Sequence, residues 1–142
     1  MSSTYINLNI VNPDCCLFSG DVLSLKVSGS EGDLGVVYGH SPLLTKIKPG
    51  MISYVQEKDH PEELFYVSGG ILEVQPNKVT ILADSLIRAS DLDFDAASKA
   101  KVDAETSLSL KSTSVMDIAV ATKELARANA QLLIINKLKN KL

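Results

Sequence analysis

Gly29 to Gly50 reads GSEGDLGVVYGHSPLLTKIKPG, and two incompatible structures compete for it. Its five glycines, two prolines, one histidine and two carboxylates suit either a phosphate-binding loop or a run of β-turns. A Walker-type loop needs Gly-Lys-Ser/Thr at the mouth of a helix, where backbone amides and the lysine together neutralise phosphate. Here glycines stand at 29, 32, 35 and 39 and no such lysine follows. The continuation SPLLTKIKPG carries strand and turn character rather than a helical period, so the dinucleotide fingerprint fails as well. The glycines are therefore expected at turns and bulges.

On both sides of this stretch the apolar residues recur with a period of two. YINLNIV alternates Ile6, Leu8 and Ile10, and VLSLKV alternates Leu23, Leu25 and Val27 against Ser24 and Lys26. Short β-branched runs follow at MISYV, LFYV, ILEV and VTILA, separated by KPG, SGG and QPNK. Short strands at such spacing predict an all-β sandwich or barrel over residues 1–85. Pro76 and Asn77 supply the fixed φ and the tolerant position of a tight turn.

After Asp84 the period changes. Ser90 with Asp93 three residues on has the form of a helix start, and DLDFDAASKAKVDAETSLSLK then runs without Gly or Pro. Ser114 with Asp117 marks a second start. In the second helix Ile118, Ala121, Leu125, Ala128, Leu132 and Ile135 form one apolar seam, and Ala97, Ala100, Ala104 and Ser107 offer a matching face on the first. An antiparallel hairpin turning near STS is predicted for residues 86–142. Ala and Ser bury little area, so the contact between the helices is expected to be weak, with a fixed hairpin and a movable one equally compatible with the periodicity. Lys137, Lys139 and Lys141 complement the negative end of the second helix and Asp117 its positive end.

Charge and composition exclude several functions. Residues 1–85 carry five Lys/Arg and ten Asp/Glu, a balance of −5, while residues 86–142 carry nine and seven, a balance of +2. Neither half has the basic footprint of a nucleic-acid binder. No apolar run approaches the roughly 20 residues of a membrane span, and MSSTYINLNIV lacks the form of a signal peptide, so a cytoplasmic product is expected. Cys15 and Cys16 are adjacent and cannot close a disulfide without heavy strain; they are expected to be reduced and inert. His40 and His60 have no companion at metal-ligand spacing. Ser41, His40 and Asp33 make a catalytic set only on paper, lacking a nucleophile elbow or an oxyanion site. No catalysis, metal or cofactor is expected.

Three blocks, FSGDV at 18–22, VSGSEGDLGVVYGHSPLLTKIKPGM at 27–51 and FYVSGGILEVQPNKVTILADS at 65–85, closely resemble the bacterial ATP synthase epsilon subunit. The resemblance continues through IRASDLD and ELARANAQLLIINKL and covers nearly the whole chain. It implies a ten-stranded β-sandwich followed by an α-helical hairpin, in a non-catalytic subunit of the central stalk. The sandwich would bind the gamma subunit and the ring of c subunits, coupling proton transport to ATP synthesis. The C-terminal helices would inhibit ATP hydrolysis through transient contact with the alpha and beta subunits. It also implies a peripheral place on the cytoplasmic face of the bacterial inner membrane, reached only through the complex.

By the same resemblance the Gly29 to Pro42 segment is the ring-facing end, with Glu31 a contact to the ring and His40 and Ser41 at the neighbouring stalk surface. Lys123 and Arg127 would face acidic segments of the catalytic subunits. Two departures stand out. Tyr38 occupies a place where the family often has proline. In the run Leu92, Asp93, Phe94, Asp95, Ala96, Ala97, Ala96 replaces the arginine of the motif with which some members bind ATP, and Gln131 is neutral; Asp93 and Arg127 are what remains of such a site. The rival reading is a sandwich-plus-hairpin protein-binding adaptor unrelated to the synthase.

Overall fold

The computed structural model describes residues 4–29, 32–110 and 114–141, which fall into two compact units, Met1–Ile87 and Arg88–Leu142. The first is built of strands β1 (Ile6–Val11), β2 (Cys16–Val22), β3 (Ser24–Gly29), β4 (Gly32–Val37), β5 (Leu43–Val55), β6 (Glu63–Val67), β7 (Gly70–Val74), β8 (Lys78–Ala83) and β9 (Leu86–Arg88). Strand β1 runs parallel to β8, whereas β1–β2, β3–β4, β3–β5, β5–β6, β5–β7 and β7–β8 pair antiparallel.

The long strand β5 makes the sheet a sandwich. Leu43–Ile47 pairs with β7, whereas Gly50–Tyr54 pairs with β6. Lys48 and Pro49 have no partner in either register, so a proline in mid-strand forfeits no ladder hydrogen bond there. The KPG segment, expected as a turn between two strands, is thus the place where one strand passes from layer to layer. Counting β5 once in each layer gives β2-β1-β8-β7-β5 and β4-β3-β5-β6-β9. That is five strands a side, the ten-stranded sandwich that the resemblance implies.

One apolar cluster fills the space between the layers. Ile6, Leu8, Ile10, Leu72, Val79 and Ile81 come from the first, and Leu25, Val27, Ile52 and Val67 from the second. The alternation of β1 appears directly, with Ile6, Leu8 and Ile10 fully buried because successive side chains point to opposite faces. Leu23 alone of the alternating residues named above falls outside a strand, at the bend between β2 and β3. An aromatic row bridges the layers, with Phe18 4.6 Å from Tyr54 and Tyr54 5.7 Å from Phe65 between ring centroids.

Gly70 fixes the start of β7. Its φ is +155°, and a Cβ there would collide with the carbonyl oxygen of Leu82 on the paired strand β8. Of the glycines in the opening stretch, Gly35 and Gly50 depart from expectation, since they lie inside β4 opposite Lys26 and inside β5 opposite Val67 rather than at turns.

The second unit begins with a 3₁₀ turn at Ala89–Asp91, followed by α1 (Phe94–Ser109) and α2 (Val115–Lys141). The helix expected from Ser90 starts later. Asp93 is the cap of α1, its carboxylate accepting from the Ala96 amide at 3.1 Å, because Leu92 still has extended backbone. Ser114 caps α2 as expected, its Oγ accepting from the Asp117 amide at 3.1 Å. Of the connection near STS, Ser112 and Thr113 lie outside the described residues.

Ala97, Ala104, Ala121 and Ala128 are buried along the seam, as is Ile135. Ile118, expected in the seam, is 44% exposed. Ile134, on a face about 100° round from Ile135, is buried although the seam pattern omits it. Lys139 sits with Nζ 5.0 Å from the centroid of the Phe94 ring on α1, a cation–π contact between the ends of the two helices.

Candidate functional site

The first group of candidate residues follows β4. Val37 closes that strand, Gly39 adopts φ +87°, and the chain turns so that the His40 amide donates to the Val37 carbonyl at 3.2 Å. The left-handed backbone explains a glycine at this point. A second tie holds the turn in place, the Gly39 amide donating to the Pro76 carbonyl at 2.7 Å. The turn carrying His40 and the QPNK turn between β7 and β8 are thereby fastened together. Tyr38 therefore does not leave this turn without backbone anchors.

His40 is half-buried and Ser41 exposed. The His40 Nδ1 lies 2.7 Å from the Ser41 carbonyl oxygen, so Nδ1 carries the proton and donates. That assignment takes one ring nitrogen away from any relay through an acid. Asp33 pairs with Ser28 near the start of β4, whereas His40 follows the other end of the strand, so the paper set of Ser41, His40 and Asp33 does not assemble.

Glu31 lies outside the described residues. Its described flanks Gly29 and Gly32 pair with each other across β3 and β4, and Gly32 opens the strand that Val37 closes. The Gly29 to Pro42 segment is therefore not a continuous loop, because the six-residue strand β4 lies within it ahead of the His40 turn. At about 3.3 Å per residue the strand separates its two ends by roughly 17 Å. The sequence reading passed over Val37 and noted Tyr38 only as a departure from proline, yet the two are 58% and 49% exposed. They give the His40 turn an apolar surface, and the run VYGH directly after the buried Val36 was the available signal.

The second group lies on the hairpin. Arg127 and Lys123 are exposed. Arg127 borders a cleft of about 200 Å³ with Ala96, Ala100, Glu124 and Gln131. The structure thus brings the alanine that stands in the arginine position of the ATP motif into the same cleft as Arg127. Asp93 does not line it, and its carboxylate is engaged in capping α1. One arginine beside one glutamate leaves the cleft no net positive charge to hold a polyphosphate, so these residues do not fit ATP. Among the described residues no group of three or more His, Cys, Asp or Glu side chains is placed to hold a metal ion. Cys15 and Cys16 are free and exposed, and no described helix is long and apolar enough to cross a membrane.

Residues 5–89 match the β-sandwich domain of the ATP synthase delta/epsilon chain, and residues 90–136 match the long α-helix domain of the same chain. The protein belongs to the ATP synthase delta/epsilon family. Two solved structures share its fold at low identity. A chain of the Euglena gracilis mitochondrial ATP synthase, in an OSCP/F1/c-ring assembly, is 18% identical with a TM-score of 0.73, over 97% of this chain and 81% of that one. A chain of the Tetrahymena thermophila mitochondrial ATP synthase, in a structure of its central stalk and c ring, is 12% identical with a TM-score of 0.66, over 95% and 99%. Membership in the delta/epsilon family joins the sandwich carrying the His40 turn and the hairpin carrying Arg127 in one kind of molecule.

Proposed function

We propose that this chain is a non-catalytic central-stalk subunit of a rotary, proton-translocating ATP synthase. In this reading residues 1–85 dock the gamma subunit onto the c ring and couple rotation to ATP synthesis, and residues 86–142 restrain ATP hydrolysis. The observation that carries it is the match of both domains, in order, to the delta/epsilon chain. The Val37–Ser41 turn supports a docking role for the sandwich, since it presents two apolar side chains, Val37 and Tyr38, on an anchored backbone. Glu31 is assigned to the c ring, and His40 and Ser41 to the adjoining stalk surface. The protein then stays at the cytoplasmic face of the membrane only through the complex.

The hairpin acts as a brake because its seam is weak. Four buried alanine methyls contribute on the order of 3 kcal/mol at about 0.8 kcal/mol each, and Ile135 is the one large side chain of the predicted seam that is buried, adding about 1.5–3 kcal/mol. Competing contacts in the catalytic head need only a few kcal/mol of differential affinity to replace such a seam. Lys123 and Arg127, both exposed, would meet acidic segments of the alpha and beta subunits there.

The test is reconstitution. Synthase stripped of its own delta/epsilon-type chain should regain ATP-driven proton pumping when this protein is added, and should regain less with Val37→Asp and Tyr38→Asp together. Pumping that is unaffected by adding the protein, with the protein absent from the re-isolated complex, overturns the proposal.

A further inference from the structure

The open cleft toward the loop end of the hairpin has no part in the function proposed above. It holds about 480 Å³ and is walled by Asp103 and Ala104 of α1 and by Asp117, Val120, Ala121 and Glu124 of α2. Its floor is made of the buried alanines Ala104 and Ala121, and its rim carries Val120 and Leu110, each 57% exposed. We propose that this cleft is a docking groove for a basic amphipathic helix of a partner polypeptide.

Shape argues for a helix. Asp117, Val120, Ala121 and Glu124 stand at i, i+3, i+4 and i+7, so one face of α2 lines the cleft for about 10 Å. A trough between two helices with a floor of methyl groups accepts the ridge of a third helix at the usual interaxial distance of about 8–10 Å. Leu or Ile knobs on that helix would cover Val120 and Leu110.

Charge selects which helix. Three carboxylates, Asp103, Asp117 and Glu124, line the cleft, and among the described residues no lysine or arginine does. The ion pairs Lys26–Glu62 and His60–Glu57 involve none of them. The capping of α2 rests on the Asp117 amide and the Ser114 hydroxyl, not on the Asp117 carboxylate. Three acids around an apolar trough repel an acidic helix and favour lysine or arginine, whose aliphatic stems lie along the apolar wall while their heads reach the rim. The seven-residue separation of Asp117 and Glu124 matches cations spaced two helical turns apart on the partner. An acidic segment of a catalytic subunit is excluded from this groove, so it serves a different partner from the one assigned to Lys123 and Arg127.

The test uses the full chain and two synthetic helical peptides of 16 residues by design, on the order of four turns. Both have the same leucine face, flanked by lysines in one and by glutamates in the other. Fluorescence anisotropy should give at least tenfold tighter binding of the lysine peptide. The combined variant Asp103→Asn, Asp117→Asn, Glu124→Gln should abolish that preference. Neutralising Glu57, Glu63 and Glu73 of the sandwich to glutamine should leave the lysine peptide within twofold. Val120→Lys, a change at an exposed site, should weaken the lysine peptide about tenfold and keeps the test valid if the triple variant misfolds. A photo-crosslinker at Val120 should place the lysine peptide on the hairpin. A preference that survives the cleft variants, equal loss from both sets of neutralisations, or crosslinking at Val120 to a second copy of the chain in place of the peptide overturns the proposal.

Discussion

Replacing glycine by alanine should have opposite consequences at two positions of the sandwich. At Gly70 the backbone has φ +155°, and a Cβ would strike the carbonyl oxygen of Leu82. An L-residue held in such a region costs on the order of 1–3 kcal/mol. Relief of the clash must also shift β8 away from β7, where Gly70 opposes Ala83 and Ile71 opposes Leu82, so the total for Gly70→Ala is about 3 kcal/mol. At Gly35 a Cβ meets nothing within 4 Å, and the position is mid-strand. There alanine narrows the unfolded ensemble without straining the folded one and contributes about 0.4–1 kcal/mol. In a domain of this size 1 kcal/mol moves Tm by about 4–8 °C. Gly70→Ala should therefore melt about 12–24 °C lower than the parent, and Gly35→Ala about 2–8 °C higher. Tyrosine fluorescence is the assay of choice, since there is no tryptophan and Tyr5, Tyr38, Tyr54 and Tyr66 all lie in the first unit. Equal shifts at the two glycines, or a Gly70→Ala protein as stable as the parent, would refute the reasoning.

Three more outcomes are expected. Ser53 is buried and its Oγ donates to Glu62 Oε2 at 2.7 Å, so Ser53→Ala should lose about 1.5 kcal/mol in urea titration; Lys26, whose Nζ is 4.0 Å from the same oxygen but largely exposed, should matter by less than about 0.5 kcal/mol when changed to Met. Asp93→Ala removes the cap of α1 and should speed amide hydrogen exchange in its first turn, a loss of about 1 kcal/mol, while protection in β8 stays as it was. In assembled complex, cysteines placed at Glu31 and His40 should both cross-link, Glu31→Cys to the c ring and His40→Cys to the adjoining stalk surface; cross-linking of both to one subunit at a single site would contradict the assignment of the two positions to different surfaces.

The strands were legible where one face is buried and the other is not. Ile6, Leu8 and Ile10 announced β1 because the pleat turns burial into an alternating pattern. The crossing at Lys48 and Pro49 was not legible. Pro-Gly is the local chemistry of a turn, and only the absence of a partner on either side lets the strand run through it. Helix α2 was announced by its cap and seam, but a seam reports a single contact face, so the burial of Ile134 left no periodic trace. Asp93 was singled out by a motif and proves to be a cap, since an Asp before a helix satisfies both descriptions. The candidate docking turn was found through the glycine at 39, whereas its fastening to Pro76 joins residues too far apart in sequence to show a local signal.

The most direct test of the account is ATP hydrolysis and ATP-driven proton pumping measured on the same assembled synthase, once with the full chain and once with a chain ending before Ser90. The account predicts that the shortened chain still assembles, that hydrolysis rises, and that pumping per ATP hydrolysed is retained, since the sandwich couples and the hairpin restrains. A disulfide locking Ala100 to the facing helix should raise hydrolysis in the same way. Hydrolysis unchanged in both complexes at matched assembly, or pumping lost with the shortened chain, would contradict it.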